Sequence, residues 1–224
     1  MRERGLRIDH TTIYRWVQHY APELEKRCRS HLKACNDSWK VDETYIKVKK
    51  VWMYLYRAVD SEGNALEFLL SATRDAEAAK HFFIKALGAS ACSVPQANTI
   101  EKKAAQPPAP AAFKARNAAP RVINVDKNAA YPKAIVELKA SGILPALVDL
   151  RQVKYLNNLI EQDHRFIKRL VKPGMGFFSF DTAWKTLQGY EAMNMIRKGQ
   201  VQGVNKGETP SQATFIAELF GVAI

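Results

Sequence analysis

The chain has 224 residues, 47% of them hydrophobic, which allows one well-buried domain with a small addition and excludes a mainly disordered protein. Its 34 Lys and Arg against 22 Asp and Glu give a formal charge of +12, so a polyanionic partner such as nucleic acid is expected. No run approaches the roughly 20 apolar residues of a membrane-spanning helix and no signal-peptide pattern opens the chain, which predicts a soluble, cytoplasmic protein without a membrane partner.

The first predicted element is a short amphipathic helix over residues 11–20. Its apolar side chains form one stripe at positions 13, 16, 17 and 20, and the opposite side carries Thr11, Arg15 and Gln18. Pro22 suits the first turn of a second helix. Two such helices are typical of the end of a helix-turn-helix unit, in which the polar side would bind DNA. A packing helix without a DNA role explains the same spacing equally well.

A three-stranded antiparallel sheet and a helix are predicted next. The strands cover residues 39–48, 51–60 and 65–71, and the helix covers 75–87. A tight turn at Lys49 and Lys50 joins the first two strands into a hairpin. Glycine is the easier choice in such a turn if the backbone must adopt a positive φ.

The second half of the predicted fold follows an insertion. Ala and Pro make up 12 of the 17 residues from 104 to 120, so we interpret 89–120 as a flexible insertion without its own core. A short buried strand ending at Asp126 comes next. It is followed by a helix over 128–142, a strand over 146–150, and two closing helices over 158–171 and 181–198.

Two acidic residues lie where local propensity does not explain them. Asp42 interrupts an otherwise strand-forming segment, and a carboxylate there is costly to bury without a compensating cation. Asp126 ends an apolar strand, the place from which α/β proteins present polar groups to a ligand. The alternative for Asp126 is a cap on the helix that follows it.

A third acid, Glu161, belongs to a helix with a basic side. Glu161, Arg165, Lys168 and Lys172 share one face, and the opposite face carries Leu159, Ile160, Phe166, Ile167 and Leu170. This arrangement suits a metal ligand followed by contacts along a phosphate backbone. The alternative is a solvated face with an ion pair between Glu161 and Arg165.

The three acids and the strongly basic chain are together what two-metal phosphoryl chemistry needs. Carboxylates are natural ligands of Mg²⁺, and two such ions can hold the attacking and leaving oxygens of an in-line displacement. We therefore predict that Asp42, Asp126 and Glu161 hold two Mg²⁺ ions, for which Mn²⁺ can substitute.

The sequence around these acids resembles that of bacterial insertion-sequence transposases of the DDE type, in the IS-six group. Asp42, Asp126 and, after 34 intervening residues, Glu161 have the spacing of that family, and Lys168 follows seven residues later. The resemblance extends from residue 4 to about residue 200, apart from the insertion. It is carried by DHTTIYRWVQ, WKVDETYIKV, YLYRAVDSEG, INVDKNAAYPKA, LRQVKYLNNLIEQDHRFIKR and GYEAMNMIRKGQ.

This resemblance implies an α/β, RNase H-like fold with a mixed five-stranded sheet flanked by helices. It further implies that Asp42, Asp126 and Glu161 are the metal ligands and that Lys168 contacts DNA near them. The implied reaction is metal-dependent nicking at the element ends, followed by transfer of each 3′-hydroxyl into target DNA. The implied partners are the terminal inverted repeats, the target DNA and further copies of the chain, assembled on DNA in the bacterial nucleoid.

The predicted domains are a partial helix-turn-helix segment at 1–34, a DDE catalytic domain at 35–200 and a C-terminal tail at 201–224. Relatives usually carry a longer region before DHTTIYRW, so end recognition is the least supported part of this expectation. Three alternatives stay open: a truncated or regulatory copy that binds DNA without transposing, a non-catalytic helix-turn-helix regulator, and an RNase H-like nuclease or resolvase.

Two further residues are predicted to lie outside the site. Glu43 follows Asp42 directly, so it should point to the other face of the strand and not bind metal. His164 is three residues after Glu161, close enough to assist the metals or contact DNA, but a lone histidine there is more typical of polar surface.

Overall fold

The computed structural model of this protein describes residues 8–88, 119–153 and 157–222, so most of the predicted insertion lies outside the described residues. The chain forms two compact units. One consists of residues 34–176, and the other combines residues 1–33 with 177–224. In the part of the chain that is described, no helix is both long and apolar enough to cross a membrane.

The larger unit is built on a five-stranded mixed sheet, as predicted. Its strands are β1 (Ser38–Val48), β2 (Val51–Asp60), β3 (Ala65–Ser71), β4 (Val122–Val125) and β5 (Asp149–Gln152). Their order is β3-β2-β1-β4-β5, where β2 is antiparallel to its neighbours and β4 and β5 run parallel to β1. This is the strand order of the RNase H-like fold, which confirms the predicted fold class.

Two helices cover one face of this sheet. They are α2 (Ala76–Ala86), which begins where the Asp75 side chain accepts a hydrogen bond from the Ala78 backbone, and α3 (Ala130–Ala140). Their aromatic and aliphatic side chains bury Trp39 and Val41 of β1 in a single core. The largest members of that core are Trp39, Tyr56, Phe82, Phe83 and Tyr131. Burial of aromatic side chains is the main stabilising contribution on this face.

A third helix, α4 (Asn158–Val171), contacts β1 and β2 from the opposite face. Arg57 is adjacent to Tyr56 in β2 and therefore points to this second face. There its guanidinium lies 2.5 Å from the Asp163 carboxylate of α4, and both side chains are buried. A charged pair thus helps to fix α4 on the sheet. The carboxyl end of α4 continues into a 3₁₀ turn over Lys172–Gly174.

The smaller unit corrects the prediction for the N-terminal segment. Residues His10–Cys28 form one continuous helix, α1, with Pro22 inside it, so the expected break between two helices is wrong. Ala21, Leu24 and Cys28 are buried in this unit, and α1 packs on α5 (Phe180–Arg197). A proline removes one helical hydrogen bond, and packing on α5 compensates for that loss, so α1 continues past Pro22.

Helix α5 begins as the sequence predicts and belongs to the unit of α1. The Ser179 hydroxyl accepts from the Thr182 backbone in a capping box. The predicted catalytic domain extended to residue 200, whereas the division into compact units places everything after Gly176 with the N-terminal helix. The segment predicted as a C-terminal tail contains a further helix, α6 (Thr209–Phe220).

Candidate active site

Asp42 lies in the middle of β1, and its side chain is largely buried, with 21% of its surface exposed. Burial, followed by the negative charges of Glu43, Asp126 and Glu161, raises the pKa of Asp42 to about 7. Without a cation, this carboxyl group therefore keeps its proton up to near-neutral pH. The compensating positive charge expected from the sequence must come from a ligand or from a neighbouring side chain.

Asp126 follows β4 directly and reaches the same region, because β4 runs parallel to β1 in the adjacent position. One carboxylate oxygen from each of Asp42, Glu43 and Asp126 lies within 4.8 Å of the others. Asp126 does not cap the next helix. Its carboxylate accepts from the Asn128 backbone, and Asn128 in turn accepts from the Ala130 backbone at the start of α3.

Glu161 reaches the same site from the first turn of α4. A cleft of about 670 Å³ is lined by all three acids together with Lys127, Gln152, Val153 and Asn157. In the described part of the chain, no ion pair joins Glu161 to Arg165, so the alternative of such a pair on this helix is not observed. The structure thus brings Asp42, Asp126 and Glu161 to one cleft from three separate elements.

Glu43 points to the opposite face of β1, as predicted, but it lies much nearer the site than the sequence suggested. Its buried carboxylate accepts from the Tyr131 hydroxyl and from the Asn128 side-chain amide. Burial, followed by the Glu43 charge, raises the pKa of Tyr131 well above its usual value, so the phenol stays a donor. One Glu43 oxygen lies beside those of Asp42 and Asp126. Glu43 therefore adds a third negative charge to the acidic cluster, from the buried face of β1.

Arg74 is a site residue that the sequence did not reveal. Its guanidinium is ion-paired with Glu43 and lies 3.4 Å from the Asp126 carboxylate. Burial opposes the charged form, but the carboxylates dominate and the pKa of Arg74 is raised. Arg74 belongs to the loop before α2, where no periodic pattern exists to mark it. It partly neutralises the acids on one side of the cluster.

His164 does not lie at the surface, and that prediction is wrong. The residue is only 3% exposed, and its Nε2 atom lies 3.9 Å from an Asp42 carboxylate oxygen. Burial, and then the positive charges of Arg57 and Lys168, lower the pKa of His164 to about 3. The imidazole is therefore neutral at physiological pH and packs behind Asp42.

The buried face of α4 also differs from the predicted one. Its buried residues are Ile160, Asp163, His164 and Ile167, whereas Leu170 is 38% exposed. The buried ion pair of Asp163 accounts for this rotation of the packed face toward β2. The basic side is exposed as expected, with Arg165, Lys168 and Lys172 open to solvent.

The predicted DNA-reading side of α1 is only partly free. Thr11 and Arg15 are exposed, and the Thr11 hydroxyl donates to Asp9. Gln18 instead donates from its side-chain amide to the Thr186 hydroxyl of α5, at 2.8 Å. Gln18 thus lies on the packed side of α1, and the interpretation that it shares a free face with Thr11 and Arg15 does not hold. The packing of α1 on α5 determines which side of α1 is covered, and the sequence of α1 alone does not reveal it because α5 is distant in the chain.

Comparison with known proteins gives consistent results. A family model described as a DDE domain matches residues 36–115 and 98–200. The transposase for insertion sequence-like element IS431mec of Staphylococcus aureus is 38% identical over 199 residues, which cover 88% of this chain and 75% of that protein. The transposase for element IS257 in transposon Tn4003, also from Staphylococcus aureus, has the same identity and coverage. A solved HTLV-2 integrase catalytic core in complex with magnesium has a TM-score of 0.45 at 16% identity, covering 78% of this chain and 94% of that one.

Proposed function

This chain belongs to the DDE transposases of bacterial insertion sequences, and we propose that Asp42, Asp126 and Glu161 are its catalytic acids. Members of this family are polynucleotidyl transferases that depend on divalent metal. The observation that carries the assignment is the convergence of these three carboxylates on one cleft from β1, the end of β4 and the first turn of α4.

The donor set fits magnesium. It consists of carboxylate oxygens, with no cysteine among the described residues that line the cleft, and hard cations such as Mg²⁺ prefer oxygen ligands. The pKa of Asp42 is raised to about 7, in part because other carboxylates surround it. A bound cation would neutralise this excess of negative charge. We propose two Mg²⁺ ions held by the three acids, with Mn²⁺ as a substitute.

Bound in this cleft, two divalent ions would activate the attacking oxygen and stabilise the leaving oxygen of an in-line displacement. The first displacement uses water, which breaks a phosphodiester at the element end and leaves a 3′-hydroxyl and a 5′-phosphate. In the second, that 3′-hydroxyl attacks a target phosphodiester. A new bond forms between the element's 3′-oxygen and the target phosphorus as the target's own P–O3′ bond breaks, so the displaced target strand ends in a free 3′-hydroxyl.

Basic residues beside the cleft are proposed to hold the DNA. Arg165, Lys168 and Lys172 continue along the exposed side of α4 from Glu161, and Lys127 lines the cleft itself. An α-helix rises about 1.5 Å per residue, so Lys172 lies about 16 Å from Glu161 along the axis. That length matches roughly five base pairs of duplex at 3.4 Å each. In α1, Thr11 and Arg15 are the exposed candidates for further DNA contacts.

The partners follow from this chemistry. We propose that the chain acts on double-stranded DNA carrying the element's terminal inverted repeats, and on target DNA, as a homo-oligomer assembled on paired ends. The +12 charge of the chain favours association with DNA in the nucleoid.

The proposal is tested by incubating the protein with a labelled duplex that ends in the terminal repeat, with Mg²⁺ or with EDTA. We expect Mg²⁺-dependent nicks that expose a 3′-hydroxyl, followed by joined products with a target plasmid. Asp42→Asn should abolish both reactions and leave DNA binding near the parent level, because the amide keeps the shape but loses the charge. Equal nicking by Asp42→Asn and the parent would refute the assignment. Cleavage without joining would indicate a nuclease or resolvase instead.

A further inference from the structure

The hairpin that joins β1 to β2 carries an exposed basic and aromatic surface. We call residues 45–54 the hairpin tip. Tyr45 is 48% exposed and Trp52 is 60% exposed, which is unusual for large aromatic side chains in a folded protein. Lys49 and Lys50 are exposed at the turn, and the Lys47 ammonium lies 5.7 Å from the centre of the Trp52 ring. None of these side chains lines the acidic cleft.

The turn itself is strained by its lysines. Val48 and Val51 are paired across the strands, so the loop has only two residues. Lys49 has a φ of 50° and Lys50 a φ of 67°, both in the left-handed region that hairpin turns of this length require. Asn-Gly or Gly-Gly adopts that conformation with little cost, whereas an L-residue with a long side chain does not. The turn thus carries two positive charges at the expense of conformational stability, and strain of this kind is characteristic of functional sites.

We propose that the hairpin tip is a DNA-binding element separate from the cleft, in which Lys47, Lys49 and Lys50 contact phosphates and Trp52 packs on a sugar or base. The proposal rests on the proposed function, because it assumes that the substrate is DNA. Lysines beside an exposed aromatic ring are the combination that nucleic-acid surfaces use: the charges follow the backbone, and the ring offers a sequence-tolerant contact.

The charges also argue against a second copy of this chain as the occupant. A two-fold contact through the hairpin tip would bring three lysines of one copy against the same three of the other. Like charges facing each other destabilise an interface, and lysine is depleted in the buried centre of such contacts. A polyanion is therefore the better match for this surface.

The distance from Asp42 to the hairpin turn along β1 predicts which part of the DNA the turn contacts. Val48 lies six positions after Asp42 in β1, and a strand rises about 3.3 Å per residue, so the turn of the hairpin tip lies roughly 20 Å from Asp42. On a duplex at 3.4 Å per base pair, this distance corresponds to about six base pairs from the cut. The hairpin tip would thus bind the flank of the substrate and leave the scissile bond to the cleft.

The test is the double variant Lys49→Asn/Lys50→Gly, which places the favoured Asn-Gly pair in the turn. Relief of strain should raise the stability of this variant, whereas loss of the two lysines should lower its affinity for DNA. The melting temperature should rise by about 3 °C or more, because the left-handed backbone no longer opposes folding. DNA binding should weaken, because two phosphate contacts are lost. A matched control, Lys80→Gln/Lys133→Gln, removes the same charge from α2 and α3 and should change binding little.

Binding is measured by fluorescence anisotropy in metal-free buffer, so that cleavage does not interfere, with a scrambled duplex of about 40 base pairs. Each lost phosphate contact lowers the slope of log K against log salt by about 0.9, so we expect a decrease of about 1.8. At about 0.15 M salt the same relation gives an affinity about 30-fold weaker. Trp52→Ala should weaken binding without changing the slope, since no charge is removed.

The outcomes separate this inference from the proposed function. A parent protein that does not bind DNA would refute the proposed function. A parent that binds, with a hairpin variant of equal affinity and slope, would refute the hairpin tip alone. An equal loss in the control variant would show a bulk charge effect and overturn the inference. Loss of self-association in light scattering with DNA binding unchanged would assign the hairpin tip to a protein contact and overturn it as well.

Discussion

Replacing Asp42 by asparagine should stabilise the metal-free protein while it abolishes the reaction. The fold raises the pKa of Asp42 from 3.8 to about 7, because the carboxyl group is buried and surrounded by other acids. Between these two pH values the folded state binds more protons than the unfolded state. Stability therefore falls as the pH rises through this window, and the full penalty applies above pH 7. An asparagine has no such penalty.

The magnitude follows from the same values. A pKa that changes from 3.8 to about 7 corresponds to about 4 kcal/mol. The Asp42 side chain is 21% exposed, so solvent screening reduces the effect, and we expect a gain of about 2 to 4 kcal/mol for Asp42→Asn at pH 8. Near pH 4 the carboxyl group is protonated in the fold, and the difference should nearly vanish.

The assay is urea unfolding of both proteins at pH 8 and pH 4, in EDTA and with excess Mg²⁺. We expect the variant to be more stable in EDTA at pH 8. Mg²⁺ should then raise the unfolding free energy of the parent and have little effect on the variant, because a bound ligand stabilises only the state that binds it. A variant less stable than the parent in EDTA at pH 8 would contradict the electrostatic account of this site.

Two further predictions concern the scaffold of the larger unit. Gly176→Ala should lower the unfolding free energy by about 1 to 3 kcal/mol in urea titrations, because φ is +117° there and a Cβ would lie 2.6 Å from the Lys47 carbonyl oxygen. Gly174→Ala, with nothing within 4 Å, is the matched control, and equal losses in both would disprove the close approach. Asp163→Ala should cost about 3 to 5 kcal/mol, because it breaks the buried pair with Arg57. Arg57→Met/Asp163→Leu should recover most of that loss, and a double variant as unstable as the single one would refute the pairing.

The sheet could be predicted because its signals are local. Hydrophobic alternation and turn residues mark β1 to β3, and a short apolar run marks β4, so the sequence alone places Asp42 within a strand and Asp126 at the end of one. The parallel arrangement of β1 and β4 then brings these two carboxylates to one region. The basic face of its helix alone does not distinguish Glu161 from a solvated residue, and it is the resemblance to the transposase family that singles it out.

The remaining features depend on contacts between segments that are distant in sequence. His164 is typical of a surface residue by sequence, but its helix packs on β2, where Arg57 provides the countercharge that allows the neighbouring Asp163 to be buried. Pro22 marks a helix start in an isolated sequence, whereas packing of α1 on α5 carries the helix through it. Strand alternation predicts that Glu43 points away from the site, but alternation describes the direction of a side chain and not the reach of its carboxylate.

The most direct test of the central claim is single-turnover nicking by Glu161→Gln with Mg²⁺, because Glu161 is the one acid contributed by a helix. The control is Glu62→Gln, which removes the same charge from an exposed turn in the same unit. If the three carboxylates act together on the metals, the nicking rate of Glu161→Gln falls on the order of a thousandfold, as for Asp42→Asn, while the control keeps the parent rate. A Glu161→Gln rate within a few-fold of the parent would contradict the claim.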